Sequence, residues 1–199
     1  MKKQKMKHGK RFFLVVISIL GVMLFSCNDK EMSYETYVAK ELASGERNDS
    51  LIYGIHFGMT EEEFKSYCTG MNLQKRFMPN PRGSAVRLAL QKGFGAPVVF
   101  DFFPVLHSDK PITKVTASMK YRDFSYYDKT YDIGNLVIEA EKYFEDGYGG
   151  NKFIAIPHEN ILLKHMYVKI DGNRKILLKP TFEGQELQIE FEDLDVDLE

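Results

Sequence analysis

The chain has 199 residues with a formal net charge of −1, 44% hydrophobic and 28% charged residues, 13% aromatics, no Trp and 2 Cys. So much apolar content at so little net charge excludes a disordered chain, and two cysteines exclude a disulfide scaffold. No apolar run reaches the ~20 residues that span a bilayer, and the length suits one domain or two small units packed together.

The N-terminus carries Lys2, Lys3, Lys5, Lys7, Lys10 and Arg11 without an acid, then the apolar run Phe12–Phe25, then Ser26-Cys27. A basic segment, an apolar segment of ~7–15 residues and a small residue before the cut are the parts of a secretory signal, here residues 1–26. Leu24-Phe25-Ser26-Cys27 resembles the lipobox of Gram-negative lipoproteins, with an aliphatic residue at −3, a small one at −1 and then Cys. Phe25 departs from the small residue that the pattern prefers at −2. The resemblance implies a diacylglyceryl group on Cys27, cleavage before it and acylation of the new amine. Acyl chains contribute ~0.8 kcal/mol per buried CH₂, and two or more hold a protein on a membrane. Asn28 stands where an Asp would signal inner-membrane retention, which favours the outer membrane, with the domain on its periplasmic or surface side.

Cleavage removes 6 of the 27 basic residues and no acid, leaving 21 against 28, or about −7 with His neutral. A body this acidic has no basic footprint for nucleic acid or anionic headgroups, so its membrane partner is reached through the acyl chains on Cys27.

Residues 27–50 read as a lipidated tether, with a short helix at Ser33–Leu42 where Tyr34, Tyr37, Val38 and Leu42 share a face. The α+β domain is then expected over 51–199. A strand at Leu51–Phe57 turns into a helix at about 61–69. There Thr60 and Glu63 form a capping box, Met59 and Phe64 occupy the staple positions, and Gly70 supplies the stop. Strands follow at Val86–Leu90, at Val98–Phe103, and at Lys114–Arg122, where Val115, Ala117, Met119 and Tyr121 alternate with polar residues. Ile133, Leu136, Val137, Ala140 and Phe144 mark a second helix with Gly147 as terminator. Met166–Ile170, Ile176–Phe182 and Leu187–Phe191 are further strands, the first pair turning at Asp171-Gly172. The alternation changes phase beyond Phe191, which implies a bulge at Glu192-Asp193 or a frayed tail.

The expected class is α+β: an antiparallel sheet of about seven to eight strands with two helices. The order suggests a tandem helix-plus-three-strand duplication with sub-repeats 51–122 and 131–193. The opening Phe57-Gly58-Met59-Thr60 and its acidic helix resemble small periplasmic lipoproteins of the outer-membrane-assembly type and the β-lactamase-inhibitor-protein type. That resemblance covers about Tyr53–Gly70 and implies helices set against an antiparallel sheet.

Catalytic motifs are scarce. There is no G-x-S-x-G, and Gly149-Gly150 precedes no phosphate-loop Lys. Cys68 reads as a small hydrophobe turned towards Phe64, and no histidine pair has metal-ligand spacing. Neither a metal nor a cofactor is expected. Asp101, in an apolar run, is expected on the wet face of its strand. The stretch Tyr121–Tyr131 sets Tyr121, Phe124, Tyr126, Tyr127 and Tyr131 among charges, a composition suited to recognition. Arg76 and Arg82, in loop 76–83, form a second candidate surface. These features point to a lipid-anchored, non-catalytic binding or assembly module with an envelope protein or glycan as partner. The alternatives are a hydrolase using a dispersed acid/base pair such as Asp101 with a histidine, or a hydrolase inhibitor.

Overall fold

The computed structural model describes residues 33–81, 83, 85–107, 109–123, 128–158, 164–181 and 185–196. The compact unit begins at Tyr34. Its elements run α1 (Tyr34–Ala43), α2 (Glu61–Leu73), β1 (Met78–Pro79), β2 (Val86–Leu90), β3 (Val98–Pro104), β4 (Lys114–Tyr121), a short 3₁₀ turn (Lys129–Tyr131), α3 (Ile133–Tyr148), β5 (Ile154–Pro157), β6 (His165–Asp171), β7 (Arg174–Thr181) and β8 (Glu186–Asp193). The strands form one eight-stranded antiparallel sheet in the order β1-β2-β3-β4-β8-β7-β6-β5. The fold is α+β, with three α-helices among the described residues where two were expected.

Local sequence explains how α2 starts. The Thr60 Oγ1 accepts from the Glu63 amide at 3.2 Å, and the Glu63 carboxylate accepts from the Thr60 amide at 2.8 Å. Its end is set by packing instead. Met71 is buried, so the helix passes through Gly70 and stops at Leu73, and the left-handed turn falls on Lys75 at φ +58°. α3 likewise passes Gly147, and Gly149 (φ +65°) caps it by donating to the Glu145 carbonyl at 2.8 Å.

Residues 51–57 form a tight turn, not the expected strand. Leu51 donates to the Ile55 carbonyl and Ile55 to that of Ile52, with Tyr53 and Gly54 left-handed between them. Leu51, Ile52, Ile55 and Phe57 are all buried, so their apolar spacing reflects a plug in the core. The short edge strands β1 and β5 escape the periodicity because a few residues ending in Pro carry no alternation.

One face of the sheet packs against α2 and α3. Phe100, Phe102, Met119, Leu187, Ile189 and Phe191 meet Phe64 and Met71 of α2 and Leu136, Ala140 and Phe144 of α3. Phe77 lies edge-on to Phe102 at 5.6 Å and Phe144 edge-on to Phe191 at 5.7 Å. The expected helix in the tether exists, but it belongs to the fold. Tyr37 packs with Val168 and Ile170 on the other face of β6, against Leu177 and Leu194. The Tyr37 hydroxyl donates to the Ile170 carbonyl at 3.0 Å and accepts from its amide at 3.3 Å. The domain therefore starts at Tyr34 rather than near Leu51. No bulge interrupts β8, whose pairing with β7 is continuous from Thr181↔Glu186 to Arg174↔Asp193. The phase change marks the strand's end, where Leu194 turns to the α1 side.

With Val168 and Ile170 facing α1, alternation sends Lys169 to the α3 side, fully buried. Its ammonium donates to the Gly149 and Asn151 carbonyls at 2.6 Å each and pairs with Asp171. A cation there satisfies carbonyls at the negative end of the α3 dipole. Asp171 also accepts from the Asn151 amide at 2.8 Å and from Arg174 at 3.1 Å, and the Arg174 guanidinium lies 4.1 Å over the Tyr148 ring. Gly150 is required here, because a Cβ would strike the Asp171 carboxylate. A strap at 46–50 crosses the β6–β7 turn. Arg47 reaches buried Asp193 at 2.9 Å, and the Asn48 amide reaches Asn173 at 2.6 Å.

Lys169→Met leaves Asp171 buried without its main partner and strips a donor from two carbonyls. It should cost about 3–5 kcal/mol in urea unfolding. A loss below about 1 kcal/mol would show that the buried charges are not holding the end of α3.

Candidate binding surface on the open sheet face

Among the described residues, the helices leave much of the sheet's second face uncovered. α1 covers its β5–β6 end, and the rest, across β2, β3, β4 and β8, carries the outward residues of the alternation. Register sets these in rows: Arg87 opposite Asp101, Asp101 opposite Ser118, Ser118 opposite Gln188, Thr116 opposite Glu190 and Lys114 opposite Glu192. Residues including Asp101, Phe103, Thr116, Ser118, Gln188 and Glu190 line a concavity of about 460 Å³.

Ion pairs fix the groove's charges. Arg87 grips both oxygens of Asp101, Nε at 2.7 Å and Nη2 at 2.6 Å, in the bidentate geometry that holds a carboxylate most firmly. Lys114 meets Glu190 at 2.6 Å, and Lys175 pairs with Glu192. Burial works to raise the Glu190 carboxyl, but the Lys114 hydrogen bond and charge, with Lys175 and Lys179 nearby, outweigh it and hold it below its ordinary value. The hydrogen bond to Asp101 raises the Arg87 guanidinium further. Thr116 donates to the Phe103 carbonyl at 3.2 Å.

Asp101 thus lies on the side away from the helices, as expected. Both its oxygens are engaged by Arg87, which suits a pinned structural pair and not a free general base. Cys68 is half-buried against the core, and burial pushes its thiol up to about 11, away from nucleophilic reactivity. No group of three or more His, Cys, Asp or Glu able to hold a metal occurs among the described residues.

The aromatic stretch divides. Tyr121 is a core residue, which corrects its place on a recognition surface. Its hydroxyl donates to Glu139 at 2.8 Å, and burial first and then that carboxylate raise the phenol far above its usual value. Tyr131 is half-buried with its ring 5.4 Å from that of Tyr121, so the pair covers the start of α3. Phe124, Tyr126, Tyr127, Arg82 and Cys27 lie outside the described residues. Arg76 is exposed, with its backbone amide bound to the Met71 carbonyl at 3.0 Å.

A second concavity of about 330 Å³, lined by Leu51, Ile52, Tyr53, Tyr143, Phe144, Gly147 and Tyr148, had no signal in the sequence. Its phenols serve the turn itself. Tyr67 bonds the Tyr53 carbonyl at 2.6 Å, Tyr148 the Leu51 carbonyl at 2.7 Å, and a Cβ at Gly54 would meet the Tyr67 hydroxyl. These tyrosines buttress a left-handed turn, whereas the open face keeps polar groups unspent. No helix among the described residues is long and apolar enough to cross a membrane.

No family model, no curated protein and no solved structure matches the chain.

Because Glu190 sits below its unfolded value, its contribution to stability is present above the ordinary carboxylate pKa and is lost as pH falls through the folded one. Lys114→Met should move the Glu190 titration, followed by carboxyl NMR, upward, since only Lys175 and Lys179 then oppose the effect of burial. An unmoved titration would remove Lys114 as its cause.

Proposed function

We propose that this protein is a lipid-anchored envelope module that binds its partner without catalysis, through the open face of the sheet. Acyl chains on Cys27 attach it to the membrane, most simply the outer one, and the domain works from there as a binding or assembly element. The anchor is supported by the basic and apolar N-terminal segments and by Leu24, Ser26 and Cys27. The binding role is carried by one observation: among the described residues, helices cover the sheet fully on one side only. The other side keeps a polar, rigidly paired surface that folding alone does not require.

The two halves, each a helix followed by four strands and meeting at β4 and β8, support an internal duplication. The same arrangement, with the Gly58-Met59-Thr60 opening, supports kinship with the small periplasmic lipoproteins and inhibitors named above. Phe124, Tyr126 and Tyr127 remain candidates on sequence grounds.

Labelled palmitate should enter the wild-type protein in cells and be absent from Cys27→Ala, which should fractionate away from membranes. Equal labelling of both would refute the anchor. Ser118→Arg, which inserts bulk and charge into the groove, should abolish co-purification with the native envelope partner while leaving the urea midpoint within experimental error. Undiminished co-purification would move the binding surface elsewhere.

A further inference from the structure

We infer that the β1 edge of the sheet, where α2 ends, lies against an anionic phospholipid bilayer and orients the domain there. The inference goes beyond the acyl anchor, because it concerns contacts made by the folded surface itself.

The acidic average of the processed chain conceals an uneven distribution. Between Glu63 and Asp101 stand Lys65, Lys75, Arg76, Arg82, Arg87 and Lys92, without a single acid. These are six of the 21 basic residues left after cleavage, so the rest of the processed chain keeps 15 against 28 acids. Asymmetry of this kind directs a body's encounter with a membrane or another polyanion. Pairing inside the fold narrows the window. Lys65 meets Glu61, Arg87 is held by Asp101, and Lys92 belongs to a turn whose Gly95 amide donates to the Glu139 carboxylate. Arg82 lies outside the described residues. Lys75 and Arg76 are left, both exposed and neither in an ion pair among the described residues. Glu63, the last acid of α2, stands about 15 Å along the helix from Leu73 at ~1.5 Å per residue, beyond the ~8 Å screening length of physiological salt.

The same corner exposes aliphatic side chains. Leu73 is 80% exposed, the highest value among the described large hydrophobics, and Met78 is 45% exposed. The backbone between them is closed on itself. The Arg76 and Phe77 amides donate to the Met71 carbonyl at 3.0 and 3.3 Å, and the Asn72 side chain donates to the Phe77 carbonyl at 3.1 Å. Phe77 plugs the core inside this turn, with the exposed ring of Tyr53 edge-on to it at 6.5 Å. Folding thus fixes a tip on which aliphatic side chains flank two unpaired cations. A bilayer answers each part: phosphates for Lys75 and Arg76, the acyl boundary for Leu73 and Met78, and the interfacial level for the Tyr53 phenol. A nucleic acid offers phosphates but no apolar layer for Leu73 and Met78 to enter. A stable protein interface draws on ~20–30 residues a side, and this tip supplies a handful. With the β1 edge down, the open face of the sheet stands beside the bilayer and stays accessible.

The test uses the processed chain from position 27 carrying Cys27→Ala, which contains the whole compact unit and no acyl group. It is sedimented with vesicles of phosphatidylglycerol and, separately, of phosphatidylcholine. The protein should partition onto the first and not the second, and raised salt should release it. Lys75→Ala combined with Arg76→Ala should weaken the partition about twentyfold and Leu73→Gln about fivefold. Urea midpoints should stay unchanged, because all three side chains are exposed. Equal partition onto both vesicles, partition onto neither, or binding that both variants retain overturns the inference. The contact is far weaker than an acyl anchor, so Cys27→Ala still washes off native membranes. Since no acyl chain is present, failure here leaves the anchor standing, and failure of palmitate labelling leaves this contact standing. In intact envelopes, a photo-cross-linking residue at position 73 should give lipid adducts, and protein adducts in their place overturn the inference.

Discussion

The pairing of β4 with β8 is the constraint on which the rest of the structure depends. Six register pairs, from Lys114↔Glu192 to Met119↔Leu187, join two four-stranded halves that would otherwise each expose an unpaired strand edge. Across that seam the inward residues Val115, Ala117, Met119, Leu187, Ile189 and Phe191 form the continuous apolar floor on which α2 and α3 both rest. The outward residues of the same two strands include Lys114, Thr116, Ser118, Lys120, Glu186, Gln188 and Glu190. One set of backbone hydrogen bonds thus builds the core on one side and the candidate binding surface on the other. Neither half could supply that surface alone, because Ser118 and Gln188 come from different halves.

The far end of the sheet is organised by buried charge instead of apolar contact. Lys169, Asp171 and Arg174 occupy positions where hydrophobic residues would ordinarily sit, and the strap at 46–50 adds Arg47 against Asp193. Buried pairs of this kind give little net stability over an apolar substitute, but breaking one partner is costly. Their effect here is positional. They fix the end of α3, the β6–β7 turn and the segment leading from α1 into the first core turn.

How much of this was legible in the sequence follows from how local each cause is. The capping box at Thr60 and Glu63 depends on four consecutive residues, and it is found as read. The alternation in β4 shows one buried and one wet face for the same reason. The ends of α2 and α3 were misplaced because Gly70 and Gly147 permit a stop without requiring one, and distant packing, of Met71 for example, carries each helix onward. On β6 the alternation of Met166, Val168 and Ile170 does not say which face is which: Val168 and Ile170 face α1 and Lys169 takes the α3 side, visible only once α1 is known to cover that face. Of the candidate site, the polar residues of β4 were legible as a wet face. Their partners on β8 were not, because sequence order does not reveal that the last strand inserts beside the fourth. Tyr121 misled because a phenol carries equal promise for surface recognition and for a buried bond to Glu139.

The account's central claim is that the open face is where this protein meets its partner at the envelope. Lysine acetylation measures it directly, since Lys120 and Lys179 lie on that face whereas Lys65 and Lys142 lie on α2 and α3. The account predicts slower acetylation of Lys120 and Lys179 in native envelopes than in the purified lipidated protein, with Lys65 and Lys142 reacting alike in both. Equal rates at all four lysines, or protection confined to the helices, would contradict it.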